Sequence, residues 1–346
     1  MDLENTVWKL LHDLSKKRGI SEISINGPEK VFVERDGKLI QLAVSLQGED
    51  INQFVDFLEE QKSQRVGFEY TPGPILNTNL NDGSRVNIIK PPFTQDFPAI
   101  SIRRYLKDIK KFETTEGIFG LYGKWVDFFK ACVRARANVI VSGGTGTGKS
   151  TLLNLLLQEV PVEQRVITIE DTIELNFNLP NLIRLEAFAS GGSGVGMREL
   201  VKNTLRMRPD RIIIGESRGE EFFDLLMAMN TGHDGSMSTI HANSGAECLQ
   251  RMESLFLMSG FDVPSRAIKK QISSGIDFIV QIKRDKEGKR IVSEIVELTG
   301  MEAENILVST IATFDEEEGG LKQTAVTPSI IDRLVKIGGL DEGFFA

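Results

Sequence analysis

Val139-Ile140-Val141 runs directly into Gly143-Gly144-Thr145-Gly146-Thr147-Gly148-Lys149-Ser150, and Leu152, Leu153, Leu155, Leu156 and Leu157 follow. Three β-branched residues predict a strand, and five leucines within six positions predict a buried helix. The glycines between them let the backbone curl where side chains would obstruct it. This order matches G-x-x-x-x-G-K-[ST], in which consecutive N–H groups and a helix N-terminus cradle phosphate oxygens. Lys149 is expected to reach β- and γ-phosphates and the Ser150 hydroxyl to ligate Mg²⁺. Gly143, Gly144, Thr145, Gly146, Thr147, Gly148 and Thr151 complete the expected nucleotide-binding set. A glycine-rich turn with no ligand is the competing reading, and the flanking strand and helix disfavour it.

Composition narrows the rest. A chain of 346 residues has room for two or three domains. Its 40% hydrophobic and 26% charged residues exclude a mainly disordered protein. No apolar run approaches the ~20 residues of a spanning helix, so an integral membrane protein is not expected. The acidic start Met1-Asp2-Leu3-Glu4-Asn5 predicts no signal peptide. Cys132 and Cys248 are the only cysteines, too few for a tetracysteine zinc site, and they suit a reducing cytosol. A net charge of −8 disfavours stable, nonspecific nucleic-acid binding.

The pattern changes near residue 110. Before it, Val7, Leu10, Leu11 and Leu14 line one face of a predicted helix, and Ile51, Phe54, Val55 and Leu58 line a second. Ile23, Ile25, Val31, Val33 and Leu39 alternate as half-buried strands do. Asn26-Gly27, Asp36-Gly37 and Asp82-Gly83 mark hairpin turns. Arg85-Val86-Asn87-Ile88 and, after Pro91-Pro92, Ala99-Ile100-Ser101-Ile102 continue the strands. Residues 1–106 therefore read as an α+β domain, and 107–119, with Lys107-Asp108-Ile109-Lys110-Lys111, as a solvated linker. Residues 120–346 alternate strands and helices, the pattern of an α/β domain with a mostly parallel sheet. Its strands include 138–142, 165–169 and Arg211–Ile214; the triple isoleucine suits burial on both faces. Gly191-Gly192-Ser193-Gly194-Val195-Gly196 reads as a loop, and Asp315-Glu316-Glu317-Glu318 as a solvated acidic turn. Ile330, Ile331, Leu334 and Val335 form a short helical pattern expected to dock on the core.

Chemistry in such sheets gathers beyond the carboxyl ends of the strands. Thr168-Ile169-Glu170-Asp171-Thr172-Ile173-Glu174 follows one strand and Gly215-Glu216 another. Phosphoryl transfer needs one carboxylate for Mg²⁺ and one to orient the attacking water. Glu216, ending the most apolar strand, suits the metal, and Glu174 suits the water. His12 reads as surface decoration. His233 and His241 could form a metal pair, though no third ligand lies at a conventional spacing. His241 sensing a γ-phosphate and His241 as a satisfied core residue are the other readings. Ser244-Gly245-Ala246-Glu247 is a capping box opening a helix with Leu249, Met252, Leu255 and Phe256. An arginine reaching the transferring phosphoryl group must come from outside the loop, often from another subunit. Arg85, Arg103 and Arg104 are candidates, with surface ion pairs as the alternative.

Together these motifs resemble those of secretion ATPases of the type II/type IV secretion superfamily, most nearly the CpaF-type branch that powers tight-adherence (Tad) pilus assembly. The resembling residues are 143–150, Ile169-Glu170-Asp171-Thr172-Ile173-Glu174, the stretch 205–216 and the histidine-containing stretch 229–244. Asp82-Gly83-Ser84-Arg85-Val86-Asn87 and Ile100-Ser101-Ile102-Arg103-Arg104 add to them. The resemblance covers about 80–310, and Ala228-Met229-Asn230-Thr231-Gly232-His233-Asp234-Gly235 is its most specific run. It implies a RecA-like ATPase domain, a mobile N-terminal domain, ATP and Mg²⁺ as ligands, and a homohexamer. It also implies a cytoplasmic protein held peripherally at the inner membrane by platform proteins of a pilus or secretion machine. By position it makes Glu174 the general base, Glu216 the Mg²⁺-associated acid, His241 the phosphate sensor, and Arg85 and Arg103 phosphate contacts from the N-terminal domain. Ser217 departs from the pattern, where an apolar residue is usual. A RecA-like nucleic-acid translocase and a nucleotide-gated scaffold with little hydrolysis are the alternatives.

Overall fold

A computed structural model of the chain describes residues 6–17, 19–35, 38–66, 72–104, 111–115, 117–187 and 194–345. The chain forms two compact units, the first drawn mainly from residues before 109 and the second from most of the rest. Asp36-Gly37, residues 107–110 of the expected linker and Gly191-Gly192-Ser193 lie outside the described residues.

The first unit contains α1 (Val7–Ser15), β1 (Ile20–Ile25), β2 (Val31–Arg35), β3 (Lys38–Gln41), α2 (Gly48–Val66), β4 (Ile75–Asn79), β5 (Arg85–Ile89) and β6 (Ala99–Arg103). The strands form one sheet in the order β3-β2-β1-β6-β5-β4, and every neighbouring pair is antiparallel. Alternation sends Ile23, Ile25, Val86, Ile88, Ile100 and Ile102 to one face, where they pack with Val7 and Leu14 of α1 and Ile51, Phe54, Val55 and Leu58 of α2. Leu10 and Leu11 are only partly buried at the edge of that core. Asp82-Gly83 lies in the β4–β5 hairpin, where the Asp82 carboxylate accepts the Ser84 N–H at 2.9 Å. Asn26-Gly27 opens a longer connection, closed by the Asn26 N–H on Lys30 O at 2.9 Å.

The second unit runs α3 (Lys124–Arg134), β7 (Val139–Gly143), α4 (Lys149–Leu157), β8 (Val166–Glu170), β9 (Leu182–Glu186), α5 (Met197–Thr204), β10 (Arg211–Ile214), α6 (Glu221–Asn230), β11 (Met237–Ile240), α7 (Gly245–Leu257), α8 (Ser265–Gly275), β12 (Phe278–Arg284), β13 (Arg290–Glu302), β14 (Asn305–Asp315), β15 (Gly320–Gln323) and α9 (Ile331–Lys336). Its sheet has the order β15-β14-β13-β12-β7-β11-β10-β8-β9. The six strands from β12 to β9 are mutually parallel, and β13, β14 and β15 continue antiparallel. The second unit has the expected α/β architecture, and the first is an α+β unit. β10 shows why it reads as continuously apolar. Ile213 enters a core shared with α3 and α4, while Ile212 and Ile214 enter another shared with α6 and α7.

Two details anchor the unit away from the phosphate loop. Leu334 of α9 is fully buried, and Phe344 beyond it meets the Trp125 ring edge-on at 5.4 Å, so the chain's end docks on α3 as expected. Arg211 is buried without exposure, and burial lowers its pKa to about 10. Its Nε donates to Gln164 Oε1 at 2.6 Å and its Nη2 to Val133 O at 2.6 Å. Gly235 lies against it with φ +80°, and a Cβ there would stand 2.8 Å from the Arg211 Cζ. Gly235→Ala therefore combines left-handed strain with overpacking, a loss of about 2–4 kcal/mol. The midpoint of a thermal scan should fall by roughly 5–10 °C; a change under about 2 °C would contradict this packing.

Candidate active site

β7 delivers the loop at the carboxyl end of the parallel strands. Gly143 is still part of the sheet, and a Cβ on it would come 2.7 Å from Ile282 O on β12. Gly148 caps α4 in the left-handed region at φ +99°, which favours glycine. The Thr147 hydroxyl donates to Gly144 O at 2.8 Å and braces the turn. Lys149 is buried, with its Nζ donating to Gly143 O and Gly144 O, both at 3.0 Å. Thr145 and Gly146 are exposed, and Thr151 is half-buried in the first turn of α4.

Ser150 meets the first carboxylate. Its hydroxyl donates to Glu174 Oε2 at 3.0 Å. The turn carrying Glu174 is tied to the end of β8, because Glu170 Oε2 accepts the N–H groups of Glu174 at 2.8 Å and Leu175 at 2.9 Å. Burial pushes the Glu170 carboxyl up from 4.5 to about 7, and those two N–H groups only partly oppose it. The folded protein then binds more protons than the unfolded chain between those values. Glu170 thus contributes stability present at low pH and lost as pH rises to 7, on the order of 3 kcal/mol. Glu170→Gln removes this dependence. From pH 5 to pH 8 the variant should gain about 2–3 kcal/mol relative to the parent in denaturant melts; a pH-independent difference would refute the shift.

The second carboxylate comes from β10. Glu216 Oε1 lies 2.7 Å from His241 Nε2, and Glu216 Oε2 accepts from Arg218 Nη2 at 2.6 Å. Burial raises its pKa, but the Arg218 hydrogen bond and the charges of Arg218, His241 and Lys149 outweigh that and hold the carboxyl below its ordinary value. Burial and the Lys149 charge keep the His241 pKa low, against the opposing pull of Glu216. Lys149 Nζ is 3.2 Å from His241 Nδ1. The same Nζ is 3.4 Å from His241 Nε2, so the ammonium stands near both ring nitrogens.

His241 reaches this position because β11 lies between β7 and β10, although it follows both in the chain. His233 and His241 flank β11 at opposite ends, so the metal-pair reading is corrected: a strand separates them. Among the described residues no cluster of three metal-ligating side chains occurs. His12 is exposed on α1, as expected. Ser217 is buried, and its hydroxyl pairs with that of Ser238 on β11 at 2.8 Å, which explains a polar residue there. The Ser244 hydroxyl caps α7 by accepting the Glu247 N–H at 3.1 Å, while the Glu247 carboxylate turns to the Asn243 N–H.

Arg85 and Arg103 belong to the first unit, directly opposite each other on β5 and β6. Arg104 differs from them. Its guanidinium donates to Leu14 O and Ser15 O, both at 3.1 Å, and so satisfies carbonyls at the end of α1. Three residues of the second unit escape a reading of the sequence. Arg218 holds Glu216 and lies 3.6 Å from Asp171. Arg284 donates to Gly146 O of the phosphate loop at 3.1 Å. Glu170 supports Glu174, and its only local signal is a carboxylate closing a strand that is buried throughout.

The sequence pattern of the family described as "Type II/IV secretion system protein" matches residues 94–311. The chain is 30% identical over 323 residues to the type IV secretion system protein VirB11 of Bartonella quintana, spanning 81% of this chain and 88% of that protein. It is 28% identical over 302 residues to the conjugal transfer protein TrbB of Rhizobium radiobacter, spanning 86% and 90%. The fold is similar to that of the Legionella pneumophila ATPase DotB, with a TM-score of 0.56 and 21% identity over 90% of this chain and 80% of that one. With the pattern covering well over half its length, this chain belongs to the type II/IV secretion system protein family, the secretion ATPase superfamily.

Proposed function

We propose that the chain is the ATP-hydrolysing subunit of a homohexameric ring of the CpaF type. The ring works at the cytoplasmic face of the inner membrane and drives Tad-type pilus assembly or protein secretion through platform proteins. One observation carries this reading. Side chains from four separate segments join in three contacts: Ser150 with Glu174, His241 with Lys149, and His241 with Glu216. Lys149 exchanges its carbonyl partners for β- and γ-phosphate oxygens. Ser150 and Glu216 offer hard oxygen donors of the kind Mg²⁺ takes together with water. When bound, the ion neutralises charge developing on the phosphates. Glu174 accepts the proton of the attacking water. His241, turned by Glu216, senses the γ-phosphate, and Arg85 and Arg103 add positive charge from the first unit. A net charge of −8 supports a protein cargo over nucleic acid.

Turnover per protomer measured against protein concentration tests the ring. It should rise cooperatively to a plateau and stay unchanged when DNA is added. Turnover independent of concentration would overturn the ring and any trans-acting arginines. Stimulation by DNA that falls steeply with salt would favour a translocase.

A further inference from the structure

We propose that Glu170 is a positioning residue that sets where the Glu174 carboxylate stands for the attack of water. The inference rests on the reading of Glu174 as base. Glu170 is only 3% exposed. A single oxygen, Oε2, receives the consecutive N–H groups of Glu174 and Leu175 at 2.8 and 2.9 Å. These bonds fix the backbone from which the Glu174 side chain leaves toward Ser150. The other oxygen, Oε1, is buried and has no hydrogen-bond partner among the described residues, a desolvation cost that capping a turn does not require. The same side chain also lies against Gly215, the residue before Glu216. A Cβ on Gly215 would stand 2.8 Å from Glu170 Cγ, so the close approach depends on glycine. One buried side chain therefore touches both segments that carry the proposed catalytic carboxylates. A shift of about 1 Å in a reacting group can cost roughly a hundredfold in rate, so this clamp bears on kcat more than on binding.

The test compares Glu170→Ala, Glu170→Gln, Glu174→Gln and the Glu170→Ala/Glu174→Gln double variant, each as the full chain with Mg-ATP. Steady-state kinetics are read beside equilibrium binding of a fluorescent ATP analogue. Glu170→Ala should lower kcat about 10–100-fold with KM and analogue affinity within about twofold. Glu170→Gln, whose amide oxygen can accept both N–H groups, should recover kcat to within about fivefold of the parent. In the Glu174→Gln background, Glu170→Ala should change residual turnover by less than about twofold. Glu170→Ala with parental kcat beside an inactive Glu174→Gln would overturn the positioning role alone. So would equal losses in both backgrounds, or a loss matched by weaker nucleotide binding. Parental turnover in Glu174→Gln would overturn the base assignment, and the positioning role with it. Should Glu170→Ala fail to fold, Gly215→Ala displaces the same side chain by crowding its Cγ. A kcat loss absent from the Glu174→Gln background would support the proposal, and an unchanged kcat would overturn it.

Discussion

Replacing Glu174 with glutamine should lower ATP turnover about 10²–10⁴-fold while nucleotide affinity stays within a few-fold, the range typical of a lost general base. The substitution keeps the shape of the side chain, and its amide oxygen can still accept from the Ser150 hydroxyl, now at 3.0 Å from Glu174 Oε2. The two N–H bonds to Glu170 involve only backbone and are also kept. What disappears is the capacity to take a proton from water. Steady-state kinetics paired with equilibrium nucleotide binding separates the two effects. Turnover above about a tenth of the parent's would mean that another group takes the proton. A parallel loss of affinity would mean that Glu174 acts mainly by holding Ser150 and the loop.

Lys149→Ala should have the second large effect, on binding. A buried ammonium that meets phosphate oxygens makes charge-assisted bonds worth about 1.5–3 kcal/mol each. Its loss should weaken ATP affinity by at least ~10²-fold, since each 1.4 kcal/mol is a factor of ten. An independent consequence appears at His241. The Lys149 charge helps to hold that imidazole below its ordinary pKa, although burial contributes more. Removing the charge should therefore shift the His241 titration to higher pH, readable by NMR without any nucleotide. An unmoved titration would show that the 3.2 Å contact between Lys149 and His241 does not persist in solution.

Much of this protein is legible locally. The phosphate loop is one, because its cradle is made of consecutive residues: a buried strand, four glycines and a leucine-rich helix need no distant partner to declare themselves. The same holds for β10, whose four residues are all buried, and for the Ser244 cap of α7. The period-two and helical patterns of the first unit are local too, although Leu10 and Leu11 are less buried than their spacing suggests and Leu39, expected to be half-buried, is exposed on the edge strand β3. Each of these features is set by interactions within a few residues, which backbone sterics and side-chain polarity dictate.

The partners of those residues were decided elsewhere. Nothing in the chain order announces that β11 lies between β7 and β10, yet that placement brings His241 between Lys149 and Glu216 and puts His233 at the far end of the strand. Ser217 looks anomalous until Ser238 faces it, and Arg211 looks like an ordinary strand end until it is buried against Val133 and Gly235. Glu170 reads as one more carboxylate until the backbone of Glu174 turns back onto it. These contacts join segments up to about a hundred residues apart, through strand order and register, which arise only when both faces of the sheet are covered at once. Local pattern thus determined which elements form and where the phosphate loop lies. The tertiary structure decided which acid faces which base, because a hydrogen bond depends on tenths of an ångström that only the packed sheet supplies.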